Sequence, residues 1–220
     1  MKIKKSVYIL YLTLLIGISQ ISPGMNCIFL IDFEELKYNF SNSYPHYTIK
    51  YENKAVSNSC GMTKIYYPTN SNEISWIKQC SSLSKDHILE HGYKDNINEY
   101  KVEKTTLNKL MKQNNINKLD LLVVDTEGHD YEILMNYDFE ILKPRYILFE
   151  YIHMDGYNTW KRNYKNLCNY LEENGYIQVE TSHMDCLYKL ITENCNKNEK
   201  EINEKENHGT QKYIDSSLKY

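Results

Sequence analysis

The chain has 220 residues, enough for one domain of ordinary size with its own hydrophobic core. Its net charge of −3 does not give the basic surface that nucleic-acid binding needs, so we expect no nucleic-acid partner. None of its six cysteines stands in a C-x-x-C pair, which argues against a structural zinc site. We expect free thiols, with disulfides as the alternative if the protein is secreted.

The first 24 residues allow two interpretations. A basic start, an apolar run over residues 7–18 and a short polar stretch are typical of a secretory signal peptide, and the run is too short to span a bilayer comfortably. The same run would suit a buried parallel strand. Membrane association is possible only through residues 6–18. The compartment stays open, with the cytoplasm slightly favoured over a secreted or membrane-anchored location.

Strands and helices alternate through the middle of the chain. A strand is expected at 26–32, a helix at 33–40, and short strands at 47–50 and 54–57, followed by a turn and an edge strand at 62–67 that closes a hairpin. The polar stretch 73–100 shows no clear period and is interpreted as an excursion over the sheet. Thr105 or Thr106 then begins a helix that runs to about residue 115.

The second half has clearer signals. Strands are predicted at 118–125 and 145–153, with a helix at 130–142 between them that Pro144 ends. An amphipathic helix follows at 158–174, and two strands at 176–180 and 186–190 are joined by a short link. The pattern predicts an α/β fold, with a mostly parallel sheet and an antiparallel C-terminal strand pair. Residues 193–220 are polar and are predicted to form a disordered tail, which leaves 25–192 as the domain.

Three acidic residues, Asp32, Asp125 and Glu150, each end an apolar run. Ligands of open α/β sheets bind at the carboxyl ends of the strands, so these acids are candidates for a binding site.

Several segments around these acids resemble the FkbM methyltransferase family. LDLLVVDTEGHDYEIL, with Asp125, Glu127 and an acidic residue that opens the next helix, is similar to the hallmark of that family. KPRYILFEY resembles its next strand, FLIDFEELKYNF carries an acid where its second strand ends, and NKAVSNSCGMTKIYY resembles its asparagine-x-alanine segment. The similarity runs from about residue 27 to 190 and implies a Rossmann-like methyltransferase sheet.

The resemblance implies S-adenosylmethionine as methyl donor and a small-molecule or glycan hydroxyl as acceptor. Asp32 would accept hydrogen bonds from the ribose hydroxyls, while Asn53 and Ala55 would lie near the adenine. Asp125 would lie beside the sulfonium and is the first candidate for orienting the acceptor or serving as its base. His129 is the alternative base.

Two further expectations concern the turn after residue 125 and the remaining histidines. Glu127 is the third candidate catalytic residue, although bonding to backbone amides of the turn is slightly favoured over a direct role. No metal site is predicted, because a polar turn of this kind more often satisfies its own groups. Surface or packing positions are expected for His87, His91, His153 and His183.

One part of the family pattern is not intact. The donor site of the family begins with a strand and an acid-x-Gly-x-x-x-Gly turn, and the nearest match, LLIGISQISPG, offers Gly17 but has Leu15 in place of the acid. A degenerate first strand, a signal peptide on a shortened domain, or a truncated reading frame would each explain this. An inactive relic that acts as a binding module is therefore the alternative function. A dinucleotide oxidoreductase lacks its G-x-G-x-x-G turn.

Overall fold

A computed structural model describes residues 9–13, 52–68, 81–93, 97–156 and 158–191 of the chain, with the backbone alone described for 9–13. These ranges hold eight strands and four helices. The strands are β1 (Ile9–Thr13), β2 (Ala55–Val56), β3 (Gly61–Pro68), β4 (Ile97–Thr105), β5 (Leu121–Asp125), β6 (Tyr146–Glu150), β7 (Tyr176–Thr181) and β8 (Asp185–Leu190). The helices are α1 (Lys85–Glu90), α2 (Leu107–Gln113), α3 (Asp130–Met135) and α4 (Lys161–Glu173).

The larger sheet has five described strands in the order β1-β5-β6-β8-β7. Strands β1, β5 and β6 run parallel, whereas β8 is antiparallel to both β6 and β7. The predicted antiparallel C-terminal pair is therefore confirmed, and the chain has a mixed α/β fold. Two of the four strand pairs described in this sheet are parallel and two are antiparallel. The described part is therefore less parallel than the mostly parallel sheet that the sequence predicts.

The main core lies on this sheet because the central strands are apolar and their side chains are buried. Leu122, Val124, Ile147 and Phe149 lose essentially all contact with solvent. Buried residues of α2, α3 and α4 belong to the same hydrophobic cluster: Leu107, Leu110, Met111, Ile133, Leu134, Leu167 and Leu171. Burial of a side chain of this size stabilises the fold by about 1.5–3 kcal/mol, so this cluster fixes where β5 and β6 end.

A second sheet of three strands has the order β2-β4-β3. The predicted hairpin between β2 and β3 is wrong, since β4 lies between them, parallel to β2 and antiparallel to β3. Strand β4 and helix α1 both begin inside the stretch interpreted as an excursion. Within β4 only Val102 and Thr105 are buried, so its sequence shows no apolar alternation that would predict a strand.

The helices differ from prediction mainly at their ends. Thr106 begins α2 as predicted, and its hydroxyl accepts a hydrogen bond from the Lys109 amide at 3.2 Å. Helix α3 ends at Met135 rather than near 142, so Pro144 does not end it. Beyond that end, Tyr137 and Phe139 turn into the core with their rings edge to face at 4.7 Å. The spacing of these two apolar residues continues the helical spacing of α3, which is why the sequence predicts a longer helix.

The N-terminal run contributes a strand, because Ile9–Thr13 pairs in parallel with residues 121–125. This agrees with the strand interpretation for those five residues. The elements expected at 26–32, 33–40 and 47–50 and the tail expected at 193–220 lie outside the described residues. Cys60, Cys168 and Cys186 are free thiols, as expected.

In the part of the chain that the structure describes, no helix combines the length and the apolar character needed to cross a membrane.

Candidate functional site

The candidate site lies at the carboxyl edge of the five-stranded sheet. Strands β5 and β6 are parallel neighbours, so Asp125 and Glu150, the last residues of the two strands, lie at the same edge. Asp125 is half-buried, and the Glu150 side chain is only 6% exposed. Asp32, the third acid expected here, lies outside the described residues.

A tight turn connects β5 to α3 and carries the polar residues of the predicted hallmark. Glu127 and Gly128 both have positive φ, at 52° and 90°. Left-handed backbone at a residue other than glycine is uncommon and clusters at functional sites. The Ser82 hydroxyl donates a 3.0 Å hydrogen bond to the Glu127 carbonyl, which ties the segment before α1 to this turn.

Glycine is required at position 128 for two reasons. Its φ of +90° strains any side chain, and a Cβ atom there would lie 3.2 Å from the His153 carbonyl oxygen and 3.3 Å from His87 Nδ1. The backbone of the turn is therefore packed directly against two histidines from other parts of the chain.

We expect Gly128→Ala to lower the free energy of unfolding by about 2–5 kcal/mol, the sum of backbone strain and overpacking. Gly92→Ala is a matched control, because Gly92 has φ +91° and no atom within 4 Å of its Cβ position. That variant suffers the strain alone and should lose about 1–2 kcal/mol. If urea denaturation showed that the two variants lose equal free energy of unfolding, the contact with the histidines would add nothing to the loss in Gly128→Ala.

Asp130 is the acidic residue that opens α3, and its side chain is buried beneath the turn. The amide and hydroxyl of Thr126 donate to its Oδ2 at 3.2 and 2.7 Å. Its Oδ1 has no hydrogen-bond partner among the described residues. Burial, and secondarily the nearby Asp125 carboxylate, raises the pKa of Asp130 to about 8. At neutral pH this acid therefore carries a proton.

The pKa of Asp130 in the folded protein lies above its value of about 3.9 in the unfolded chain. The native state therefore binds more protons at this residue than the unfolded state does between pH 4 and 8. Asp130 then lowers stability as pH rises through this range. We expect Asp130→Asn, which keeps an acceptor for Thr126, to gain stability over the wild type by up to about 1.4 kcal/mol per pH unit. Other titrating groups are common to both proteins and cancel. Urea unfolding at pH 5 and pH 7 measures this, and an identical difference at both pH values would contradict it.

His129 caps the start of α3 and lies close to the second sheet. Its Nε2 is 3.0 Å from the Ser57 hydroxyl, just beyond β2, and its Nδ1 is 3.7 Å from Glu132. Burial lowers the pKa of His129 below its usual value, so the ring is neutral at pH 7 and can accept a proton. The contact also brings the end of β2 to the turn.

Glu127 directs its carboxylate away from the turn. Its Oε2 lies 3.4 Å from His87 Nε2, and among the described residues no backbone amide donates to it, contrary to the expectation that it would bond the amides of the turn. From the sequence, His87 was expected at the surface or as a residue that packs against its neighbours. The structure places it 5% exposed, beside the hallmark turn.

Three histidines meet next to Glu127. The rings of His87 and His91 have centroids 4.4 Å apart, and the ring of His153 lies 5.1 and 5.4 Å from them. Burial, with the neighbouring rings of His87 and His91, lowers the pKa of His153 to about 3, and burial also lowers the pKa of His91. His183, by contrast, is exposed in the turn between β7 and β8.

Glu150 faces the same cluster. Its Oε1 lies 3.8 Å from His153 Nε2, and its Oε2 has no hydrogen-bond partner within the described ranges. Burial, followed by the charges of Glu127, Asp130 and Asp125, raises the pKa of Glu150 to about 10. Two groups of residues here offer ligand atoms within 4.8 Å of one another: His87 with His91 and Glu127, and Glu127 with Glu150 and His153.

A shallow polar hollow of about 330 Å³ opens beyond this cluster, lined by Glu90, Asp155, Gly156 and Thr159. It adjoins the cluster through Gly156, whose amide donates to the His153 carbonyl at 3.2 Å. It does not reach Asp125, so it is a different feature from the expected acceptor position.

The residues expected to bind the donor are only partly described. Asn53 is exposed just before β2, whereas Ala55 is 1% exposed and packs with Ile65 and Val102 in the second sheet. Gly17 and Asp32 lie outside the described residues.

The sequence missed the histidine cluster, although one signal was present. His87 and His91 are four residues apart, the spacing that places two side chains on one face of a helix. Nothing local connects that pair to Glu127 or to His153, which follows a different strand.

Residues 23–178 match the family model described as the methyltransferase FkbM domain, which covers more than half of the chain. No curated protein and no solved structure matches the chain.

Proposed function

The chain belongs to the FkbM methyltransferase domain family, and on that premise we propose that it methylates a hydroxyl of a small molecule or glycan with S-adenosylmethionine as donor. The observation that carries the proposal is the position of Asp125. This half-buried carboxylate ends β5, the strand between β1 and β6, at the sheet edge where ligands of such folds bind.

The charge of this edge suits the donor. Asp125 is a carboxylate beside an apolar core, and a sulfonium is a cation that such a group attracts. Asp32 would bind the ribose, and Gly17 is the remaining candidate for contact with the donor. Because Ala55 is buried, its backbone rather than its side chain would line the adenine position, next to the exposed Asn53.

Methyl transfer forms an oxygen–carbon bond to the acceptor and breaks the sulfur–carbon bond of the donor. The products are a methyl ether and S-adenosylhomocysteine, and the hydroxyl proton must go to a base. Asp125 would orient the hydroxyl and take that proton. His129 is neutral at pH 7 and occupies the N-cap position of α3 in the same turn. It is the second candidate for the base. Alignment of donor and acceptor supplies most of the remaining rate enhancement.

The proposal is tested by incubating the full chain with methyl-labelled S-adenosylmethionine and fractionated small molecules and glycans. We expect label to enter an alkali-stable compound, as a methyl ether requires. Incorporation into ester-linked, base-labile product would contradict O-methylation of a hydroxyl. Absence of incorporation from every fraction would count against catalysis.

A second candidate function is a binding module that keeps the fold without catalysis. The observation that favours it is Leu15, which stands where the family pattern has an acid before the glycine turn. This candidate predicts that no fraction accepts label. It is rejected if label is transferred at a rate that depends on Asp125.

A further inference from the structure

The histidine cluster at the edge of the sheet has the geometry of a metal site. His87, His91 and Glu127 each offer one ligand atom, and the three atoms lie within 4.8 Å of one another. His87 Nε2 and Glu127 Oε2 are 3.4 Å apart. Two ligands on a tetrahedral ion with bonds of 2.0–2.1 Å are separated by roughly 3.3 Å. The observed separation is therefore that of two ligands, and it is longer than a charge-assisted hydrogen bond of about 2.7–2.9 Å.

The hydrogen bonds of His91 set its ring in a ligating tautomer. Its Nδ1 lies 2.9 Å from the His87 carbonyl oxygen, which can only accept, so Nδ1 carries the hydrogen. In the neutral ring the lone pair is then on Nε2. Metal-binding histidines commonly donate their other ring N–H to a carbonyl or carboxylate in this way, which fixes the ring and raises its basicity.

Glu150 provides an independent reason to expect a cation. Its side chain is 6% exposed, and its Oε2 is buried without a hydrogen-bond partner in the described part of the chain. It belongs to a second group of potential ligands that shares Glu127. An unsatisfied buried carboxyl is costly, and a cation bound at the shared Glu127 would lie close to it and offset part of that cost.

His153 has a different part in the cluster. The Asn158 amide donates to its Nδ1 at 3.2 Å, so the hydrogen of the neutral ring is on Nε2, which faces Glu150 at 3.8 Å. A nitrogen that carries hydrogen does not coordinate a metal. His153 therefore leaves coordination to the other two histidines.

We propose that His87, His91 and Glu127 bind one divalent transition-metal ion, with Glu150 on the other side of Glu127 adding negative charge beside the site. Imidazole and carboxylate ligands suit Zn²⁺ or Fe²⁺, whereas Mg²⁺ and Ca²⁺ prefer an all-oxygen environment. The proposal differs from the sequence-based expectation that no metal binds. It does not depend on the proposed methyl transfer, since the binding can be measured without donor or acceptor.

Two titrations of the full chain, freed of metal by dialysis against a chelator, test this proposal. Competition with a chromophoric chelator should show one Zn²⁺ bound per chain, and a tenfold excess of Mg²⁺ should not displace it. Co²⁺ substituted for Zn²⁺ should give visible bands without the near-ultraviolet charge-transfer band of a thiolate ligand.

The variants His91→Gln and Glu127→Gln should each raise the Kd for Zn²⁺ at least about 100-fold, because loss of a ligand exceeds the 10–100-fold effect of losing an outer partner. His183→Gln changes an exposed histidine that belongs to neither group of potential ligands and should leave the Kd unchanged. Circular dichroism of the metal-free proteins checks that each variant folds, and His91 and Glu127 are only half-buried, so both changes should be tolerated. Absence of one-to-one binding, a thiolate band, or equal affinity of all three variants would overturn the proposal.

Discussion

Asp125→Asn should lower the rate of methyl transfer by about 10²- to 10⁴-fold, the usual contribution of one acid or base group. Asparagine has the same shape as aspartate but cannot take the acceptor proton. The sulfur of S-adenosylhomocysteine is neutral, so the Asp125 carboxylate has no sulfonium to attract in this ligand. Its binding to Asp125→Asn should therefore differ from its binding to the wild type by less than about threefold. Labelled transfer and calorimetric binding measure the two effects separately.

The matched control for this variant is Asp138→Asn. Asp138 is an exposed acid beyond the end of α3 whose Oδ1 accepts a 2.9 Å hydrogen bond from the Glu140 amide, and asparagine can accept the same bond. Its activity should equal that of the wild type. A full rate in Asp125→Asn would assign the base to another residue, and His129→Gln would then be the variant with the large loss.

The largest effect on stability is expected from Phe149→Ala. Phe149 is completely buried in the central strand β6, and its ring stacks on Tyr188 of β8 at 5.8 Å. Removal of a buried phenylalanine ring costs about 3–5 kcal/mol, because the transfer free energy is lost and a cavity remains. Urea denaturation should therefore show a lower midpoint with an unchanged slope.

Ile141→Ala is the control for that loss. Ile141 is 58% exposed in the segment after α3, so its removal should change stability by no more than about 0.5 kcal/mol. Similar losses in the two variants would mean that the sheet is not the main core. Loss of less than about 1 kcal/mol in Phe149→Ala would lead to the same conclusion.

The parts of the fold that could be predicted are those in which burial leaves a pattern in the sequence. Strands β5 and β6 are continuous apolar runs, and the Thr106 cap marks the start of α2. Strand β4 could not be predicted, because its central residues are exposed and its register depends on partners in two other strands. The length of α3 was overestimated because burial of Tyr137 and Phe139 after its end continues the helical spacing.

The candidate site shows the same division. Asp125, Glu127 and His129 follow one another in the chain, so a family resemblance could identify them together. The convergence of His87 and His153 on this turn results from tertiary packing around Gly128, which a sequence does not display. The expectation that Glu127 bonds the amides of the turn failed for that reason: the partner of its carboxylate, His87, comes from a different element.

The turn combines strain with buried acids. Glu127 has positive φ, and Asp130 and Glu150 each leave one carboxyl oxygen without a hydrogen bond in the described residues. Each feature lowers stability, and such features persist where the surrounding structure holds them in place for binding or catalysis. The three together support the proposal that this edge is the functional part of the fold.

Calorimetric titration of the full chain with S-adenosylhomocysteine tests the central claim most directly. The proposed donor site predicts saturable binding of one molecule per chain. Asp32→Ala should weaken that binding at least about tenfold, or 1.4 kcal/mol, through loss of the ribose contact, while Asp138→Asn leaves it unchanged. Absence of saturable binding at millimolar ligand, or equal affinity in Asp32→Ala, would contradict a methyl-donor site in this chain.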